Sequence, residues 1–97
     1  MDEQKEIENT FESQSVKIYE GFKAALNKYN LSDMRIIEFK TAASSSKTKI
    51  LDGLNEVLRE NDIQDLYISQ FTLAKDRGEE CNWTIRLENG KWVIKCE

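Results

Sequence analysis

Two features of this sequence could carry chemistry: the cysteines Cys81 and Cys96, and the polar run Ser44, Ser45, Ser46, Lys47 and Thr48. The run lies between a strand-like and a helix-like stretch, where the free N–H groups of a helix start can hold an anion. It lacks the glycines that let a nucleotide loop wrap around phosphate, so helix capping is the simpler reading and an anion or partner contact the sharper one. Cys81 and Cys96 fall on one face of an alternating segment. They are expected as buried free thiols in preference to a disulfide, because cysteine commonly behaves as a small hydrophobe. Two thiolates alone make a poor zinc site, and the chain has no histidine to complete one. No cofactor and no metal are therefore expected.

Histidine is also the commonest general base, and no nucleophile has a recognisable base beside it. The carboxylates show no paired spacing suited to acid–base work, and Glu79-Glu80 reads as part of a polar connector. An enzyme is not expected. Trp83 and Trp92 have the burial parity of a hairpin and read as core. The 18 acidic and 14 basic side chains leave a net charge of −4, which argues against nucleic acid as the partner. No stretch is long and apolar enough to span a bilayer, so no membrane association and a cytoplasmic location are expected.

The elements that must position these residues are announced by a phrase that occurs twice. Residues 17–42 and 49–74 align at an offset of 32 positions, with eight of 26 residues identical, among them Gly21/Gly53, Leu26/Leu58, Ile36/Ile68 and Phe39/Phe71. Each copy opens with helical spacing and closes on a β-branched, aromatic run. Asn30 and Asp62 are placed to end the helices, and Leu31 and Ile63 to fold back on the last turn. The paired glycines inside the helices imply close approach to a neighbouring element. Repeated Asp33 and Asp65 read as turn residues.

The first helix extends from about residue 3 to 29, so residues 1–14 form an extension outside the repeated unit, free to fray or to dock on a partner. The C-terminal run CNWTIRLENGKWVIKCE centres two alternating strands on Asn89-Gly90, the preferred pair for a type I′ turn. This turn pairs Leu87 with Trp92, Ile85 with Ile94 and Trp83 with Cys96.

The assembled expectation is a single α+β domain over residues 1–97, a two-layer α/β sandwich with element order α-β-α-β-β-β. Its strand–helix–strand core predicts parallel repeat strands and hence a mixed four-stranded sheet. The preferred strand order is 1-2-3-4, with strand 1 beside strand 4 as the alternative. In both repeat strands the matched apolar residues are three apart, so either a bulge re-aims one or both faces are apolar. Apolar surface on both faces would make Arg35, Ile37, Phe39, Tyr67, Ser69 and Phe71 a contact surface. The functional expectation is a small protein acting by protein–protein contact, as adaptor, inhibitor or regulatory subunit, with a protein partner or a second copy of itself. The alternative is a small-ligand or anion-binding domain centred on residues 44–48.

Overall fold

In a computed structural model that describes residues 3–44, 48–64 and 66–97, the chain forms three helices and one four-stranded sheet. The helices are α1 (Glu3–Ser13), α2 (Ser15–Lys28) and α3 (Lys49–Glu60). The strands are β1 (Met34–Ala42), β2 (Tyr67–Lys75), β3 (Trp83–Glu88) and β4 (Lys91–Cys96). All three helices pack on one face of the sheet, giving two layers around one apolar core that runs from Phe11 to Ile94.

The single helix expected over residues 3–29 is broken at Gln14. Thr10 donates its hydroxyl to the Glu6 carbonyl and Ser13 to that of Thr10, back-bonding that bends helices. The bend lays α1 on its own sheet. Fully buried Phe11 packs with its ring tilted against those of Trp92 and Phe39, centroids 4.1 and 5.7 Å away, so the extension outside the repeat supplies part of the core.

Helix ends follow the sequence closely. Asn30 and Asp62 take left-handed φ values of 62° and 64°. The amides of Leu31 and Ile63 then reach back to the carbonyls of Leu26 and Leu58, each at 2.9 Å, which is the Schellman arrangement. In the hairpin, Asn89 and Gly90 both have positive φ, and Ile85 pairs with Ile94 and Trp83 with Cys96 as the type I′ turn requires.

The sheet departs from expectation: it is antiparallel throughout, with order β2-β1-β4-β3. β1 therefore lies beside β4, the alternative order, and the mixed sheet with parallel repeat strands is overturned. Tyr67 opens β2 directly opposite Ala42, the last residue of β1, so the chain leaves and re-enters the sheet at the same end. A 12-residue helix is about 18 Å long. Nine extended residues cover about 30 Å, so α3 alone does not carry the chain back along β1. Residues 76–82 then cross from β2 to β3, three strand spacings or about 14 Å, well within the reach of seven residues.

Antiparallel pairing gives the two similar units a reciprocal register. Phe39 faces Phe71, its own counterpart, while Ile36 faces Leu73 and Thr41 faces Ile68. Each of the last two pairs repeats the other at the 32-residue offset, as in an isologous interface. The register slips by one residue at Ile37 on β1 and at Ser69 on β2, again equivalent positions. Those two bulges resolve the spacing puzzle. They turn Ile36 and Phe39 to the same side, both buried, instead of leaving apolar residues on both faces.

The helices repeat this reciprocity, Gly21 of α2 lying against Val57 of α3 and Gly53 near Ala25 and Tyr29. A Cβ at Gly21 would sit 2.5 Å from a methyl carbon of Val57, a side chain held in one rotamer by its branching. At Gly53 the nearest atom would be an ordinary 3.5 Å away. Gly21→Ala is accordingly expected to destabilise the fold. Gly53→Ala is expected to stabilise it by about 0.5–1 kcal/mol, the usual gain from replacing glycine within a helix. Thermal melts of the two single variants test this opposition of sign, and Val57→Ala should rescue the first.

The other departure concerns the cysteines. Cys81 and Cys96 form a disulfide with Cα atoms 5.1 Å apart, rather than two free thiols. Cys81 belongs to the crossing connector and not to β3, so it does not obey the hairpin's spacing. It swings close enough to bond, and the bridge staples the connector to the end of β4.

Candidate functional site

The contact surface expected from the repeat strands is largely dismantled by the bulges. Phe39, 1% exposed, stands edge-on to Phe22 at 5.5 Å, so it belongs to the core and is closed to a partner. Arg35 turns toward the end of β3, its guanidinium 5.0 Å from the centroid of the Trp83 ring. Ile37 and Ser69 are the bulged residues, both half-buried, as is Tyr67.

The helix-free face of the sheet is mainly polar. Glu38 accepts a hydrogen bond from Thr72 at 3.4 Å and pairs with Lys91 at 3.3 Å, and Lys95 pairs with Glu88 at 2.9 Å. Among the described residues, the large apolar side chains most open to solvent are Val16 at 40% and Tyr29 at 37%, and both lie outside the sheet.

Apolar surface is instead left at the β2 edge. In central β1, Ile36 and Phe39 are sealed beneath the helices. On the same side of β2, Ile68 is fully covered, while Phe71 and Leu73 are only partly buried against the core. β2 is the outermost strand, has nine residues without proline and carries no charge before Lys75. Outer strands are ordinarily shortened or charged to prevent pairing. The opposite edge, β3, has six residues and carries Arg86 and Glu88.

One β2 group is met from within the fold. Asn55 on α3, 3% exposed, accepts the Ile68 amide through Oδ1 at 2.6 Å, while its Nδ2 has no partner among the described residues. At the equivalent place in α2 stands Lys23, whose ammonium donates to the carbonyls of Ser32 at 3.0 Å and Met34 at 2.7 Å. Asn55 and Lys23 therefore fasten each helix to the start of its own strand. Neither role was legible in the sequence, because the partners are backbone groups brought close only by folding.

Ser45, Ser46 and Lys47 lie outside the described residues, as does Asp65. Ser44 and Thr48 are exposed, and Thr48 precedes α3 without capping it through its side chain. Asp52 stands in the first turn of α3, placing a carboxylate where an anion would bind. An antiparallel sheet also lacks the parallel strand ends beside which open α/β sheets hold ligands.

Depressions lie elsewhere among the described residues. A groove of 610 Å³ between α2 and α3 is floored by Gly21, Ala25, Gly53 and Val57, and charges of both signs rim it. Another, of 340 Å³, lies at the end of the sheet between Arg35, Trp83 and the connector residues Asp76 and Glu79. Beside it, Asp76 pairs with Lys23 at 2.6 Å. That hydrogen-bonded ammonium, helped by the Gly78 amide, holds the Asp76 carboxyl below the usual aspartate range. Tyr19 stacks on Trp83 at 4.2 Å, and burial pushes its phenol up, with Asp76 adding to the effect and Arg35 opposing it. The Lys23–Asp76 pair is thus a clasp between α2 and the connector.

Compared with known proteins, the chain matches no family model, no curated protein and no solved structure.

Proposed function

We propose that this protein acts by contact with another protein, as a small adaptor, inhibitor or regulatory subunit, and that its β2 edge receives an extended segment of the partner. The observation that carries this reading is the incomplete burial of Phe71 and Leu73 on an outer strand that has no charge before Lys75. A strand laid beside β2 would take up the free main-chain groups, while its side chains covered the two apolar residues. Main-chain pairing would supply affinity, and the steps between Phe71, Leu73 and the Ser69 bulge would supply selectivity. The contact surface drawn from the sequence is thus narrowed to Tyr67, Ser69, Phe71 and their neighbours. A cytoplasmic location belongs to the same reading. No helix among the described residues is long and apolar enough to cross a membrane.

The test compares the wild-type chain with Gln70→Lys/Thr72→Lys, which adds to exposed positions the charge that guards natural edges. Both forms are used to capture partners from the source cells, and the captured segment is then titrated into labelled protein. Loss of capture by the variant, with amide shifts confined to residues 66–75, is the expected result. Undiminished capture, or shifts centred elsewhere, would refute the reading. A concentration-dependent dimer abolished by the same substitutions would identify the partner as a second copy.

A further inference from the structure

We propose that Glu79, Cys81 and Cys96 form a redox-gated site for a soft divalent cation such as Zn²⁺, closed while the disulfide stands and opened by its reduction. The two sulfurs and a Glu79 carboxylate oxygen all lie within 4.8 Å of one another, with Glu79 Oε2 3.9 Å from the Cys81 sulfur. Two thiolates and a carboxylate are three ligands of the kinds zinc takes, and water can occupy a fourth, tetrahedral position. Glu79 supplies what the two cysteines lack by themselves.

The frame holding these ligands has ties besides the disulfide. Just upstream, the Asp76 amide donates to the Asp33 carbonyl at 2.8 Å, and the Asp76 carboxylate is held by Lys23. Just downstream, Asn82 and Glu97 exchange backbone hydrogen bonds at 3.2 and 3.1 Å, fastening the connector to the end of β4. Glu79 and Cys81 hang between these ties, with Cys96 facing them from β4. Zinc bound at about 2.3 Å to each sulfur would set the two sulfurs about 3.8 Å apart. Side-chain rotation from a Cα separation of 5.1 Å can provide that without moving the strand.

Access is equally direct. Glu79 and Cys96 are exposed and Cys81 is half-buried, so a small dithiol can reach the bridge. Its attack passes two electrons to the protein, leaving two protein thiols and the reductant as its own disulfide. Zinc then displaces one proton from each thiol, and both thiolates coordinate the ion. Metal and disulfide are thus alternative ties between connector and β4, one for reducing and one for oxidising conditions. The chain has no histidine and no other cysteine, so the thiolates available to a soft ion are confined to this place.

The experiment uses the whole chain, reduced with dithiothreitol, freed of reductant without oxygen and titrated with Zn²⁺ against a chromophoric chelator. Co²⁺ is added in parallel to reveal thiolate-to-metal charge-transfer absorption. The expected result is one ion per reduced chain, with affinity at least about 100-fold below this in the oxidised protein. Glu79→Gln, an exposed change that keeps both thiols, should weaken binding by about tenfold or more. Its fold can be verified in the oxidised, disulfide-tied form by circular dichroism. Equal affinity in the two redox states, one ion shared by two chains, or unaltered binding by Glu79→Gln would each overturn the proposal.

Discussion

Truncating Phe39 to alanine is expected to cost about 4 kcal/mol, whereas the same truncation at Phe71, directly opposite, should cost about 1–2 kcal/mol. The two residues hold equivalent places in similar units, yet their surroundings differ. Phe39 lies on a central strand, 1% exposed, with the rings of Phe11, Phe22 and Trp92 around it. Removing it leaves a cavity that rigid neighbours cannot fill. Phe71 lies on the outer strand with part of its ring in water, and water can occupy the space it vacates.

Small domains are typically stable by about 5–15 kcal/mol, so Phe39→Ala is expected to leave little reserve. Phe39→Leu, expected to cost about 1–1.5 kcal/mol, keeps the comparison measurable if the alanine variant unfolds. Urea denaturation of the three variants gives the ordering. Equal costs at Phe39 and Phe71 would mean that β2 is as well covered as β1, and the proposed edge contact would lose its basis.

The second large effect concerns the Cys81–Cys96 bridge. Replacing both cysteines with serine is expected to lower stability by about 3 kcal/mol, the loop-closure value for a separation of 15 residues. The loss should be visible in metal-free solution as a lower urea midpoint. Because the bridge ties the connector to β4, the amides of residues 76–82 should lose hydrogen-exchange protection before those of β1. Retention of that protection in the double-serine variant would show that the Asp76 clasp and the Asn82–Glu97 backbone pair are sufficient ties by themselves.

Local instructions in the sequence were followed closely. Asn89-Gly90 specified its turn and the hairpin register, because both residues accept the positive φ that a type I′ turn demands. Asn30 and Asp62 ended their helices for a related reason, and the amphipathic spacing of Leu51, Leu54, Val57 and Leu58 produced the buried stripe of α3. The matched glycines correctly implied close approach, and Gly21 meets Val57 across the helix pair. Even the three-residue gap between Ile36 and Phe39 contained the bulge as one of its two solutions.

The candidate site was less legible. Phe39 and Phe71 look alike in sequence, and nothing local tells which strand will be central. Glu79 gives no sign that it will approach Cys96, nor Asp76 that it will meet Lys23. Those meetings depend on the path of the connector, and a polar segment is equally compatible with turning back beside β2 or crossing to the far edge.

By itself, then, the sequence determined which residues become helix, strand and turn, and which side of each element is apolar. These properties depend on backbone propensity and periodicity over a few neighbouring residues. The tertiary structure decided the direction of β2 against β1, the placement of β4 beside β1, the disulfide and the half-covered outer edge. Pairing β1 and β2 antiparallel lets each unit meet the other through the same residues and bury Phe39 among Phe11, Phe22 and Trp92. That gain arises only when distant segments pack together, and it leaves Phe71 and Leu73, on the strand without an outer neighbour, only partly covered.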